Sequence, residues 1–180
     1  MLSQAAQILE IPPAGHRRKG RWQANRVDLP EEQSPLKGIT MKWVTRERPK
    51  TDRIACPWLI KRFIDNDAEI IFVPADRVLA EAERLKAHSF DAPGATYTHR
   101  GNLCTFEVLI DEYKLGVDPA LARLAKIVHA ADISDDLDTD PLGAGLLAIG
   151  IGGLHIETDD LRLLERSEFV YDALYAWCQH

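Results

Sequence analysis

The strongest local instruction in this chain is the dipeptide Asp118-Pro119. An aspartate before a helix accepts hydrogen bonds from its first free amides, and a proline suits the first helical position, where no N–H is needed. Behind this pair, LARLAKIVHAAD places Leu121, Leu124, Ile127 and Val128 on one face at helical spacing. A helix is therefore expected from Pro119 to about Ala131.

Other segments join it. KWVTRE before Pro49 alternates like a strand, and EIIFV (69–73) reads as a short buried one. TDRIACPWLIKRFIDND suits a helix through Ile54, Trp58, Leu59 or Ile60, Phe63 and Ile64, with Pro57 in or near its first turn. Residues 75–87 form an amphipathic helix with Val78, Leu79, Ala82 and Leu85 inward. Residues 88–103 read as loop or short strand around the Pro93-Gly94 turn. A helix over 104–115 turns Phe106, Leu109, Ile110 and Tyr113 to the core. Beyond the acidic connection 134–140, a glycine-rich apolar helix starts at Pro141 and is expected to be buried. Two last helices follow, near 158–166 and 167–178. The fold class is α+β: a predominantly helical single domain with a few short strands.

Residues 1–40 differ from this pattern. They hold prolines at 12, 13, 30 and 35, the basic patch HRRKGRW, and little periodicity. We expect a Pro-rich, basic leader or arm ahead of a domain at 41–180, with the ancestral start at Met41 and the arm able to dock on a partner subunit of a homo-oligomer. The net charge of −6 argues against nucleic acid as a main partner. Three scattered cysteines form no disulfide framework, the N-terminus carries no signal-peptide pattern, and the longest apolar run is 14 residues. No membrane span and a reducing, cytoplasmic setting are expected.

Chemistry concentrates between Tyr97 and Asp132, where His99, Cys104, Glu107, His129 and Asp132 fall within 36 residues. A first-row divalent ion needs three or four N, O or S donors converging from separate elements. His99, Glu107 and His129 are the expected metal ligands, with Asp132 as a fourth ligand or hydrogen-bonded to one of them. The bland alternatives are a turn histidine, a solvated glutamate, a small core cysteine, and a histidine at a helix C-terminus, where its charge suits the dipole. Arg53 lies near a helix N-terminus and is suited to steer an anion. Catalytic roles in such a site fall to Arg53 and Asp132. Asp172, on an otherwise apolar helix, is expected to pair with Arg53. Trp43, Trp58 and Trp177 read as core, and no GxSxG, HExxH, CxxC or phosphate loop is present.

TDRIACPWLIKRFID, FDAPGATYTHRGNLCTFE, LARLAKIVHAAD and YDALYAWC resemble the C-terminal domain of the bacterial chromate-resistance protein ChrB, over Met41 to the C-terminus. The resemblance implies a role in chromate or oxyanion stress. Longer members of that family carry an additional N-terminal domain, which forty residues are too few to hold, so a DNA-binding regulatory role is not carried over. Two readings stand. One is a metal-dependent domain using Mn, Fe or Zn, with redox or hydrolytic chemistry on a small anionic substrate. The alternative is a regulatory module that senses a chromate-like oxyanion without turnover.

Overall fold

Trp43, Val44 and Thr45 are all fully buried, and a strand covered on both faces belongs at the centre of its sheet. The computed structural model describes residues 41–180, and the expected leader at 1–40 lies outside the described residues. Strand β1 (Lys42–Arg46) pairs in parallel with β2 (Glu69–Val73) on one side and with β3 (His88–Ser89) on the other. The strand order is β2-β1-β3. Trp43 faces the large core, whereas Val44 packs into a smaller cluster with Val78, Ala82, Ala92 and Ala95.

Each parallel pair is joined by a helix. α1 (Asp52–Leu59) runs into a π-helical turn, Ile60–Ile64, and leads from β1 to β2. α2 (Val78–Leu85) leads from β2 to β3 on the far side of β1. The winding therefore reverses between β1 and β3. In parallel sheets that reversal opens a crevice at the carboxyl ends of the strands, where ligands bind. Four further helices complete the α+β domain: α3 (Thr105–Glu112), α4 (Pro119–Asp132), α5 (Gly143–Ile156) and α6 (Asp160–Cys178). The main core unites Trp58, Leu59 and Ile60 with Phe106, Leu109, Leu121, Leu124, Ile127 and Tyr175. Asp118 caps α4 as expected, accepting from the amides of Ala120 (2.8 Å) and Leu121 (3.2 Å).

Several expectations are corrected. Pro57 is the sixth residue of α1, because the helix already begins at Asp52. Leu79 is 48% exposed, since only Val78 and Ala82 of α2 reach the sheet deeply enough to be buried. The closing segment is one helix of 19 residues, with Asp159 as its cap. Asp172 pairs with Arg62 at 2.7 Å and accepts from Trp58 Nε1 at 2.8 Å, whereas Arg53 lies elsewhere, on Asp91. Trp177 is 47% exposed and its ring lies under the Arg123 guanidinium. Among the described residues no helix is long and apolar enough to cross a membrane.

α5 is not a buried helix: Ile149, Ile151 and Ile156 are exposed, and only Gly143 and Leu146 are buried along it. Its glycines have different surroundings. A methyl group on Gly143 would stand 2.7 Å from the Ala130 Cβ of α4, while one on Gly152 would meet nothing within 4 Å. The close approach of α5 to α4 therefore rests on Gly143. Gly143→Ala should destabilise the protein by about 1–3 kcal/mol through overpacking. Gly152→Ala should stabilise it by about 0.5–1 kcal/mol by removing a helix-interior glycine. Urea denaturation of the two variants checks both signs.

Candidate metal centre at the switch of the parallel sheet

Two helices begin at this crevice, and buried carboxylates hold their first amides. Asp52 opens α1 directly beyond β1, and its own amide points to Asp132 Oδ1 at 3.3 Å. Asp52 Oδ2 accepts from the Thr105 amide at the start of α3, at 2.6 Å. Asp91 follows β3 and Phe90, in a left-handed conformation (φ 46°) that non-glycine residues seldom adopt. Its Oδ2 takes the guanidinium groups of Arg46 and Arg53, each at 3.0 Å, and its Oδ1 accepts from Thr105 Oγ1 at 3.2 Å.

Over these carboxylates lies His99. Its Nε2 is 3.3 Å from Asp132 Oδ2, 3.5 Å from Asp52 Oδ2 and 3.6 Å from Asp91 Oδ1. A single ring N–H serves one acceptor well, so three carboxylates around one nitrogen are a surplus of negative charge. Asp52 Oδ1 is also buried without a hydrogen-bond partner. Donor atoms of Asp52, Asp91 and His99 all lie within 4.8 Å of one another. Ligands on an ion with bonds of about 2.1 Å stand about 3.0–3.4 Å apart, close to the spacings around Nε2. The residues present thus fit a divalent cation, with Asp132 beside them and His99 open to solvent.

The protonation equilibria reflect the same crowding. Burial, more than any neighbour, raises the Asp52 carboxyl above its ordinary range. Asp132 is pushed up to about 6, by burial first and then by the charges of Asp52 and Asp91. The hydrogen bond to Asp52 holds more of the proton on His99, against the opposing effect of its partial burial.

Glu107 and His129 form a second cluster. Glu107 Oε2 accepts from the Cys104 amide at 3.0 Å and lies 2.6 Å from His129 Nδ1, while His129 Nε2 lies 2.9 Å from Asp136 Oδ2. Burial disfavours the charged imidazole, but the bonds to Glu107 and Asp136 outweigh it, so His129 is raised on balance. Of the expected ligands, then, Glu107 and His129 come together, whereas His99 stands with Asp52, Asp91 and Asp132. The two clusters meet at the start of α3, where consecutive amides go to different carboxylates: Cys104 to Glu107 and Thr105 to Asp52. Arg53 touches the first cluster through Asp91. Sequence reasoning did not single out Asp52, Asp91 or Asp136. Only the first half of a signal for them was legible: Asp52 follows a readable strand, whereas the strand before Asp91 is two residues long.

Comparison with known proteins fits this domain. The family described as ChrB, C-terminal domain, matches residues 43–178. The chain belongs to the ChrB C-terminal domain family. It is 35% identical over 134 residues to Protein ChrB of Cupriavidus metallidurans strain CH34, an overlap covering 74% of this chain and 40% of that relative. This chain thus spans well under two thirds of the relative's length. No solved structure matches.

The raised Asp132 carboxyl has a measurable consequence in metal-free protein. Its ordinary value is 3.8 and its folded value about 6, so its ionisation destabilises the fold as pH rises through 6, and nothing is lost below 3.8. With chelator present, Asp132→Asn should be more stable than the parent at pH 7.5 by about 1–3 kcal/mol, with the gain vanishing near pH 4. Urea denaturation at the two pH values measures it.

Proposed function

We propose that this ChrB C-terminal domain is a metal-binding domain of oxyanion stress. Its switch-point crevice holds one divalent first-row ion and presents it to a small anionic ligand. The observation that carries this reading is the convergence of Asp52, Asp91 and Asp132 on His99 Nε2 at 3.3–3.6 Å, beside an unpartnered Asp52 Oδ1. An oxygen-rich set with one imidazole suits Mn, Fe or Zn, and availability selects among them. Arg46 and Arg53 occupy Asp91 Oδ2 and so hold its Oδ1 toward the ion, as hydrogen-bonded partners of metal ligands do.

Charge favours an anion at the same place. Three aspartates against Arg46 and Arg53 leave one negative charge with His99 neutral, and a divalent ion turns that into one positive charge. The partly exposed edge at His99 is where a water or a tetrahedral oxyanion would complete the coordination. A bound ion there can polarise such a ligand or activate water. The chromate setting comes from the family resemblance and names the class of anion. The oxyanion-sensing alternative uses the same edge without turnover, and a product appearing on incubation with the anion separates the two.

Equilibrium dialysis against Mn²⁺ tests the metal reading, because manganese favours the oxygen-rich set. About one ion per chain is expected, with affinity falling on the order of 10–100-fold or more in Asp91→Asn and His99→Gln. Folded wild type that takes up no Mn²⁺, Fe²⁺ or Zn²⁺ after reconstitution would falsify the proposal.

A further inference from the structure

The cluster beyond the switch-point crevice uses different donors, and its arrangement is that of a ligand set with an outer carboxylate. Cys104 sits at the N-cap of α3, with its side chain against the Glu107 amide, and Glu107 reaches back to the Cys104 amide. The Cys104 sulfur, a Glu107 oxygen and a His129 ring nitrogen all lie within 4.8 Å of one another. They come from two packed helices, α3 and α4, so the donors converge from separate rigid elements. Cys104 is fully buried, while Glu107, His129 and Asp136 keep 21%, 13% and 29% of their side chains exposed, leaving a way in from one side.

Each ring nitrogen of His129 faces a carboxylate. Nδ1 lies 2.6 Å from Glu107 Oε2, a donor of the cluster, and Nε2 lies 2.9 Å from Asp136 Oδ2 outside it. Asp136 holds the Nε2 proton, so once Nδ1 gives up its own proton it presents a basic lone pair on the Glu107 side, which is how metal-bound histidines are oriented. Burial first, and then the charges of Asp52, Glu107 and Asp132, push the Cys104 thiol well up against the opposing Glu107 amide, so its sulfur is held as a thiol unless a cation takes the place of the proton. A cation can therefore replace the Nδ1 proton between His129 and Glu107 and the thiol proton of Cys104, both protons passing to solvent.

We propose that Cys104, Glu107 and His129 form a second metal site containing a thiolate, with Asp136 as the carboxylate behind the histidine. Its sulfur donor selects a borderline or soft ion of the zinc class, in contrast to the oxygen-rich crevice beside it. The two sites share no ligand, and this inference stands independently of the first. They are linked through the adjacent amides of Cys104 and Thr105 and through α4, which carries both His129 and Asp132.

Cobalt(II) is the probe, since thiolate ligation gives a sulfur-to-metal charge-transfer band that oxygen and nitrogen donors do not. The full chain, reduced and freed of metal, is titrated with Co²⁺ beside Cys104→Ser, His129→Gln, Asp136→Asn and His99→Gln, each checked for folding by circular dichroism. Serine is a good helix cap, so Cys104→Ser should fold. The band is expected in the parent and in His99→Gln, absent in Cys104→Ser and His129→Gln, and formed with about 10–100-fold weaker affinity in Asp136→Asn. No band in folded parent at saturating cobalt, or a band that survives in Cys104→Ser, overturns the proposal. Loss of manganese binding in His99→Gln with the cobalt band intact separates this site from the first.

Discussion

The buried carboxylate of Asp52 is the interaction on which this architecture depends. It opens α1 at the carboxyl end of the central strand, and its Oδ2 takes the first amide of α3 at 2.6 Å. Two segments more than fifty residues apart are thereby fixed against each other at one point. The group is 2% exposed, and a charge so deep is costly unless cations or donors surround it. Here the donors are a helix N-terminus and His99, and they leave Oδ1 without a partner. The fold thus leaves a buried carboxylate oxygen unpaired in a cluster of three acidic side chains, at the position where a parallel sheet offers a ligand crevice.

The same helix start divides the chemistry in two. Successive amides of Cys104 and Thr105 point to carboxylates on opposite sides, so α3 acts as a partition. On one side are oxygen donors with one exposed imidazole, and on the other a buried sulfur, an imidazole and a glutamate. Spacing on α4 contributes to this. His129 and Asp132 lie on neighbouring faces of one helix, yet a displacement of three residues directs one toward Glu107 and the other toward His99.

Much of the fold was legible because its signals are local. The Asp118 cap, the strands at 42–46 and 69–73 and the core faces of α3 and α4 follow from hydrophobic period and helix-start chemistry within a few residues. The resemblance to ChrB likewise rests on contiguous motifs, and the family match covers them. Glu107 and His129 meet because α3 packs on α4. What was illegible depends on long-range pairing. Strand β3 is two residues long, too short for a period, so the reversal of winding that aligns Asp52 with Asp91 left no pattern. Whether Arg53 met Asp172 or Asp91 was settled by the sheet, not by either local sequence. The exposed apolar face of α5 reads as buried from composition alone, because hydrophobicity does not say which elements are left to cover a helix.

The most direct measurement is anomalous diffraction from crystals of this chain grown with Mn²⁺, since it places the ion without reference to any activity. The account predicts an anomalous peak at bonding distance from His99 Nε2 and from oxygens of Asp52 and Asp91. Well-diffracting crystals with no peak there, or with manganese only on unrelated surface carboxylates, would contradict it.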